Sequence, residues 1–281
     1  MPAKIRVTAI QRLCVNDGPG VRTVVFLKGC YLQCPWCCNP EAIHYDEDAC
    51  FDKDKCKFPQ KSSLCINCEL HKGAIQKETC PLGAFERTYT DYAVNQLLKL
   101  LLKDKTLYAE GGGVTFSGGE PLLQAEALLP LLKELKERDI HIAFETSLFA
   151  ETRKYQMVKN YVDCWLIDLK FQYGYIPNSD YQINIGQFEE NLKNLQQSKT
   201  NHIFRMVIMG EALNKKEKIR ESLLTHEIKE IELLACHSLA KNKYKELHRA
   251  FHQFKTPTKD ELLMFESYLM EEGIKSTFLS L

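Results

Sequence analysis

Six short runs of β-branched and aromatic residues alternate with stretches carrying leucines at three- and four-residue steps, and this alternation restricts the fold of the 281-residue chain more than any other feature. The strand-like runs are 22–28, 114–117, 141–146, 164–171, 203–209 and 230–235, and the helical patterns are 91–103, 122–138, 151–160, 188–198 and 215–224. A strand that returns to its neighbour through a helix runs parallel to it. Six such units predict an α/β fold, a partial (β/α)6 TIM-type barrel. One more amphipathic helix is expected over 258–272, with Thr258 as N-cap ahead of the acidic first turn Lys259, Asp260 and Glu261.

Residues 41–87 break the alternation, showing cysteines and turn residues in place of apolar periodicity. They predict a small cysteine-rich, ferredoxin-like insertion after the first strand, and divide the chain into a barrel of residues 1–40 and 88–281 and an inserted module, 41–87. The module carries Cys50, Cys56, Cys65, Cys68 and Cys80, within which CINCELHKGAIQKETCP pairs a C-x2-C with a later Cys-Pro. Bacterial ferredoxins ligate clusters with a C-x2-C-x2-C-x3-C-P run, whose dense spacing is absent here. An iron-sulfur cluster, a zinc knuckle using His71 in place of a thiolate, and a module without metal all fit.

Cys30, Cys34 and Cys37 form a C-x3-C-x2-C run directly after the first strand. Three thiolates are one short of a closed zinc or iron-sulfur site, so the run describes either a centre with an open position or one completed by Cys38 or a distant cysteine. Spacing alone does not choose the metal. Twelve cysteines behind an N-terminus, MPAKIRVTAI, that lacks an apolar signal core predict thiol and metal chemistry in a reducing, cytoplasmic setting. Cys14, Cys164 and Cys236 stand among apolar residues and read as buried side chains. Lysine plus arginine equals aspartate plus glutamate at 37 each, leaving no net field to draw nucleic acid or an anionic membrane. Charged residues interrupt every leucine-rich run, LLKLLLK included, so no transmembrane helix is expected.

On a barrel, the polar residues at the strand ends share one face, where such folds place their chemistry. The cysteine triplet follows the first strand, Gly118, Gly119 and Glu120 the second, and Glu145, Thr146 and Ser147 close the third. Asp168 and Lys170 end the fourth, Arg205 lies within the fifth and His237 follows the sixth. Each alone reads better as a turn, a solvated strand end or a paired structural residue. Together they suit a ligand with amino-acid and nucleoside parts: glycines admit close backbone approach, Glu120 could accept from an ammonium group, Lys170 and Arg205 could pair with a carboxylate, and Thr146, Ser147 and Asp168 offer oxygens to ribose hydroxyls or a hard cation. The glycine-rich stretch 110–113 precedes a strand and lacks Gly-Lys-Ser/Thr, so it is not a phosphate loop.

At these residues the chain resembles the glycyl-radical-enzyme activating enzymes of the radical S-adenosylmethionine superfamily, the pyruvate formate-lyase activating type with a ferredoxin-like insert. The resemblance rests on DGPGVRTVVFLKGCYLQCPWCCNPE, TFSGGEP, ETS, DLK, RMVIMG and LLACHSLAKNKY, in that order from Asp17 to Tyr244. It implies a 4Fe-4S cluster held by Cys30, Cys34 and Cys37, whose open iron is chelated by S-adenosyl-L-methionine. It also implies reductive cleavage to a 5'-deoxyadenosyl radical and hydrogen abstraction from a backbone glycine of a partner glycyl-radical enzyme, with flavodoxin or ferredoxin as electron donor. By the same resemblance Gly118, Gly119 and Glu120 hold the methionine amino group, Thr146, Asp168, Lys170, Arg205 and His237 lie near the cofactor, and Asp17 lies by the substrate glycine loop.

Three positions depart from the family pattern: Cys38 stands where histidine is common, Leu148 where glycine is usual, and the insert has five cysteines where many relatives have eight. One extra cluster is therefore expected, on Cys65, Cys68, Cys80 and either Cys56 or Cys50. Two other functional classes stay open at this point. One is a radical maturase of another peptide or of a small molecule; the other is a non-catalytic iron-sulfur electron-transfer protein, which would have no use for Glu120.

Overall fold

A computed structural model of the chain describes residues 4–46, 49–52, 54–56, 80, 82–109, 111–170, 181 and 184–279. The chain opens with a hairpin, β1 (Ile5–Cys14) against β2 (Arg22–Leu27), in which Val7 faces Leu27 and Cys14 faces Arg22. Two short strands, β3 (Ala49–Phe51) and β4 (Phe85–Arg87), pair antiparallel, and β5 (Thr90–Tyr92) adds to the outer edge of β1. Next come α1 (Val94–Leu101), β6 (Gly113–Gly118), α2 (Ala125–Lys136), β7 (His141–Thr146), α3 (Thr152–Val158), β8 (Cys164–Asp168), α4 (Ile185–Gln196) and β9 (Asn201–Ile208). The chain continues through α5 (Lys216–Thr225), β10 (Glu230–Ala235), α6 (Lys241–Glu246), α7 (Lys259–Glu271) and β11 (Lys275–Leu279).

Nine of these strands form one sheet in the order β11-β10-β9-β8-β7-β6-β2-β1-β5. All six expected strands lie in it as parallel neighbours, from β2 through β10, and β11 extends the parallel run by one. The last helix is thus the crossover of a further unit. Its start is as expected: Glu261 N donates to Thr258 Oγ1 at 3.2 Å and Thr258 N donates to Glu261 Oε2 at 2.8 Å, a capping box worth about 1 kcal/mol.

The strands differ from the sequence expectation mostly at their edges. β8 ends at Asp168, three residues before the expected end, while β1, β5 and β11 have no counterpart in the six-run pattern. Four of the ten residues of β1 are exposed, Gln11 and Arg12 among them, so it lacks the apolar signature of a covered strand. The central strands have that signature: the first five residues of β6 are buried, and Phe116, Phe144 and Trp165 pack in series, tilted and edge-on, across β6, β7 and β8 at centroid spacings of 5.5 Å.

At the N-terminal end of these strands Arg22 is 0% exposed. Its Nε donates to Thr115 Oγ1 at 2.9 Å, Nη2 to Val114 O at 2.5 Å, and Nη1 to Pro19 O at 3.2 Å and to His141 Nδ1 at 3.0 Å. At the other end the β3–β4 pair sets Phe51 opposite Phe85 and so brackets the cysteine-rich stretch. Cys50 lies in β3, and Cys56 and Cys80 are among the described residues; Cys65, Cys68 and His71 lie outside them.

Candidate functional site

The cysteine loop begins where β2 stops. Gly29 adopts φ +97°, a left-handed conformation that favours glycine, and turns the chain out of the sheet. Gly29 N donates to Ala42 O at 2.7 Å and Cys30 N to Ile43 O at 2.8 Å, closing the loop at its base. Inside it, Cys37 N donates to Cys34 O at 3.0 Å, a turn that brings the last two cysteines of the triplet round toward the first.

Gly118 and Gly119 end the adjacent strand, and their need for glycine has a specific cause. A Cβ on Gly118 would lie 2.3 Å from Leu27 N, and one on Gly119 2.1 Å from Gly29 O. The space freed by the missing side chains is therefore filled by the backbone that leads into the cysteine loop. Gly119 N donates to Leu27 O at 2.7 Å and Glu120 N to Gly29 O at 2.8 Å, so the GGE segment and the cysteine loop are built as one unit.

Glu120 is 1% exposed. Its Oε1 accepts from Thr146 Oγ1 at 2.6 Å and Leu122 N at 3.2 Å, and its Oε2 accepts from Ser147 N at 3.0 Å and Ser147 Oγ at 2.8 Å. A carboxylate offers about four acceptor positions, and all are taken. Burial pushes the Glu120 carboxyl up, while Thr146 and Ser147 pull it back toward the ionised form. An ammonium group thus meets Glu120 only by displacing one of these donors.

Across the cleft, Lys170 Nζ hydrogen-bonds Asp168 Oδ2, while Asp168 Oδ1 is buried and has no hydrogen-bond partner among the described residues. Burial works against the Lys170 ammonium, but Asp168 and Cys34 outweigh it and raise its pKa. The three thiols show the opposite balance. Burial, with Glu120 beside it, pushes Cys30 well up; burial sets Cys34 at about 11 despite Lys170, and burial with Cys34 and Cys38 sets Cys37 at about 12.

One open cleft is lined by Cys30, Cys34, Cys37, Gly118, Gly119, Glu120, Thr146, Asp168 and Lys170, and by Cys38, Glu145 and Ser147, all singled out from sequence. Three further residues singled out from sequence, Arg205, His237 and Asp17, do not line it. Arg205 stands one layer back, its Nε on Glu232 Oε2 at 2.8 Å and its Nη1 3.8 Å from Glu145 Oε1, a carboxyl that does reach the cleft. His237 touches the cleft through Cys38, with 3.8 Å between Nε2 and Sγ. Asp17 lies in the β1–β2 loop, where its carbonyl accepts from Thr115 Oγ1 at 2.7 Å; burial raises its carboxyl pKa and Arg205 opposes that rise.

Two groups of residues escaped the sequence reading. Ser117 Oγ donates to Glu145 Oε2 at 2.5 Å, completing the wall between β6 and β7. Lys243 Nζ donates to Cys38 O, Asn39 Oδ1 and Glu41 Oε1, and Tyr244 OH to Cys37 O at 3.1 Å, so α6 clamps the cysteine loop from outside. Both lie in quoted motifs, but a hydroxyl on a buried strand and a lysine in a charged helix carry no distinguishing local signal.

The donor set bears on what the cleft can hold. Among the described residues no three His, Cys, Asp or Glu side chains converge closely enough to chelate a single ion. A polynuclear iron-sulfur cluster spreads its thiolates over separate irons, so three spaced cysteines fit it better than they fit mononuclear zinc. The unbonded Asp168 oxygen and the oxygen-rich opposite wall suit a polar organic ligand bound beside it.

The comparisons with known proteins agree with that chemistry. A family described as "4Fe-4S single cluster domain" matches residues 16–183. The chain is 32% identical to the Pyruvate formate-lyase 2-activating enzyme of Escherichia coli (strain K12) over 256 residues, 90% of this chain and 84% of that one. It is 29% identical to the Trans-4-hydroxy-L-proline dehydratase activating enzyme of Clostridioides difficile, over 90% of this chain and 92% of the relative. Among solved structures, QueE from Escherichia coli superimposes with a TM-score of 0.53 at 14% identity, covering 99% of this chain and 95% of that one, a likeness of fold alone.

Proposed function

This chain belongs to the radical S-adenosylmethionine activating enzymes, and from that membership we propose that it installs a glycyl radical on a partner glycyl-radical enzyme. The observation that carries the proposal is a cleft whose lining includes three cysteines and Asp168, whose Oδ1 has no hydrogen-bond partner among the described residues. In this reading the parallel strands from β2 to β10 are a partial (β/α)6 barrel, and the cleft is its mouth.

Cys30, Cys34 and Cys37 would hold a 4Fe-4S cluster, and S-adenosyl-L-methionine would occupy its open iron position. When bound, the pair supplies reductive cleavage of the sulfonium and hydrogen abstraction from a backbone glycine. The chain's own residues bind, orient and exclude water. Thiols that sit near 11 and 12 without metal must release their protons to ligate, so the buried loop favours the loaded state only when iron neutralises the thiolates. Glu120 binds Leu122, Thr146 and Ser147, and so fixes the ends of β6 and β7 against each other; it can receive the methionine ammonium by exchanging one of those donors. Lys170, held ionised by Asp168, is placed to meet a carboxylate, and Asp168 Oδ1 to accept a ribose hydroxyl. Arg205 positions Glu145, and Asp17 would meet the glycine-bearing loop of the partner.

Residues 41–87 are read as an iron-sulfur module on Cys65, Cys68, Cys80 and one of Cys50 or Cys56. Support comes from Cys80: burial raises its pKa, but the backbone N–H groups of Leu82, Ala84 and Phe85 outweigh that and lower it, favouring a thiolate. Flavodoxin or ferredoxin is the proposed electron donor.

The test is reconstitution under anaerobic conditions with S-adenosylmethionine, a reductant and a candidate glycyl-radical enzyme. We expect 5'-deoxyadenosine, the doublet of a glycyl radical by electron paramagnetic resonance, and iron for two 4Fe-4S clusters, one of which is lost in Cys65→Ala/Cys68→Ala. Absence of 5'-deoxyadenosine would overturn the reaction; 5'-deoxyadenosine without a radical in any partner would overturn the substrate assignment alone.

A further inference from the structure

The turn after β7 has a backbone that does not hold itself. Leu148 adopts φ +59°, a left-handed conformation that a branched side chain rarely enters and that glycine adopts freely. Such a residue persists only where its surroundings fix it. Leu148 is 0% exposed, and the polar groups around it work from two sides. On the cleft side, Leu148 N donates to Thr146 Oγ1 at 2.9 Å and Phe149 N to Ser147 Oγ at 3.3 Å, so each hydroxyl accepts from the turn and gives its own hydrogen to Glu120. On the far side, Asn191 of α4 donates through Nδ2 to Leu148 O at 3.0 Å and to Ala150 O at 2.9 Å. Two carbonyl oxygens accept only from the amide nitrogen, which fixes the orientation of the side chain.

Packing does not account for this asparagine. Asn191 is 0% exposed on a face of α4 whose other buried residues, Phe188, Leu192 and Leu195, are apolar, and its Oδ1 is buried with no hydrogen-bond partner among the described residues. An amide oxygen so placed costs stability that an apolar side chain would not. What the residue supplies in return is its pair of N–H bonds to the turn. Phe149 also stacks on Phe188, with ring centroids 5.1 Å apart, so α4 meets the turn through a ring and an amide together.

We propose that Asn191 is a positioning residue: by holding the carbonyls of Leu148 and Ala150 it keeps the left-handed turn in the shape that aims Thr146 and Ser147 at Glu120, and so fixes the carboxylate that would receive the methionine ammonium. The inference rests on the functional reading above. Asn191 touches neither cofactor nor cleft, and its contribution is a wall already in place when the ligand arrives.

The experiment compares the reconstituted parent with Asn191→Ala, Leu195→Ala, Glu120→Gln and Asn191→Ala/Glu120→Gln, matched for iron content. Anaerobic calorimetry gives the affinity for S-adenosylmethionine, and the melting temperature is recorded without it. Asn191→Ala should bind about tenfold more weakly than the parent. Leu195 is buried one turn further along α4, so Leu195→Ala should also lower the melting temperature, yet bind within about twofold of the parent. Glu120→Gln should bind weakly, and adding Asn191→Ala to it should change the affinity less than about twofold, because the two residues act through one contact. If Asn191→Ala does not fold, Asn191→Ser, which leaves room for a water to cap the carbonyls without gripping them, should show the same loss. Parent affinity in Asn191→Ala or Asn191→Ser would overturn the proposal. So would full losses that multiply in the double variant, or a Leu195→Ala protein that binds as weakly as Asn191→Ala, because the effect would then be one of general stability. A parent that does not bind S-adenosylmethionine would overturn the functional reading and this inference with it.

Discussion

Two buried cations sit at opposite ends of the same parallel sheet, and they are satisfied in opposite ways. Arg22, at the start of β2, is surrounded by neutral acceptors from Pro19, Val114, Thr115 and His141. Burial lowers its pKa to about 10, against the pull of Cys164 and Tyr108. Lys170, just past the end of β8, is instead paired with a carboxylate whose second oxygen is buried and, among the described residues, unbonded. The first arrangement is complete and can only stabilise the fold. The second is complete only when something else binds, and that difference separates a structural charge from a candidate binding charge more reliably than burial does, since both are buried.

The sharpest way to break this comparison is at the cysteine wall. Cys34→Ala should abolish iron retention at the triplet and bring 5'-deoxyadenosine formation to background, while the far-ultraviolet circular dichroism of the metal-free protein is unchanged. A large loss of metal-free stability would place the triplet among the structural elements. The opposite outcome is expected at the other end: Arg22→Leu leaves a histidine nitrogen and several carbonyls unbonded and should cost about 3 kcal/mol by urea denaturation. If it unfolds no more easily than the parent, the completeness of that network is not what stabilises the hairpin.

A smaller effect should distinguish the two charges directly. Asp168→Asn keeps the size of the side chain but removes the charge that holds Lys170, and should weaken S-adenosylmethionine binding about tenfold by calorimetry with little change in melting temperature. The smallest effect concerns pH. His141 accepts from Arg22 through Nδ1, and burial together with Arg22 lowers its pKa below 6.5. A depressed folded-state pKa gives stability that is present above the unfolded value and is lost as pH falls through the folded one. Melting temperature should therefore decline from pH 7.5 toward pH 5, and His141→Gln should flatten that decline. An unchanged slope would remove His141 from the Arg22 network.

The features legible in the sequence were those with short-range grammar. The Cys30, Cys34 and Cys37 spacing, the strand–helix alternation from Arg22 to Ala235, and the Thr258 cap each depend on neighbours within a few residues. The edges of the sheet were not legible, because the partly exposed β1 and the short β5 and β11 lack the apolar runs that covered strands require. Gly118 and Gly119 were recognised as special, but the reason, a clash with the backbone of Leu27 and Gly29, lies about ninety residues away in the chain.

By itself the sequence determined that the chain is an α/β protein with three closely spaced thiols at a strand end and matching polar residues at later strand ends, because alternation and ligand spacing are local properties. Only the tertiary structure decided that Glu120 has its acceptor positions filled, that Asp168 keeps an oxygen unbonded, that Arg205 stands behind Glu145, and that Cys38 meets His237 across 199 positions of sequence. Those are questions of which donors reach which acceptors. In a parallel sheet the answer is set by register between strands that are far apart in the chain.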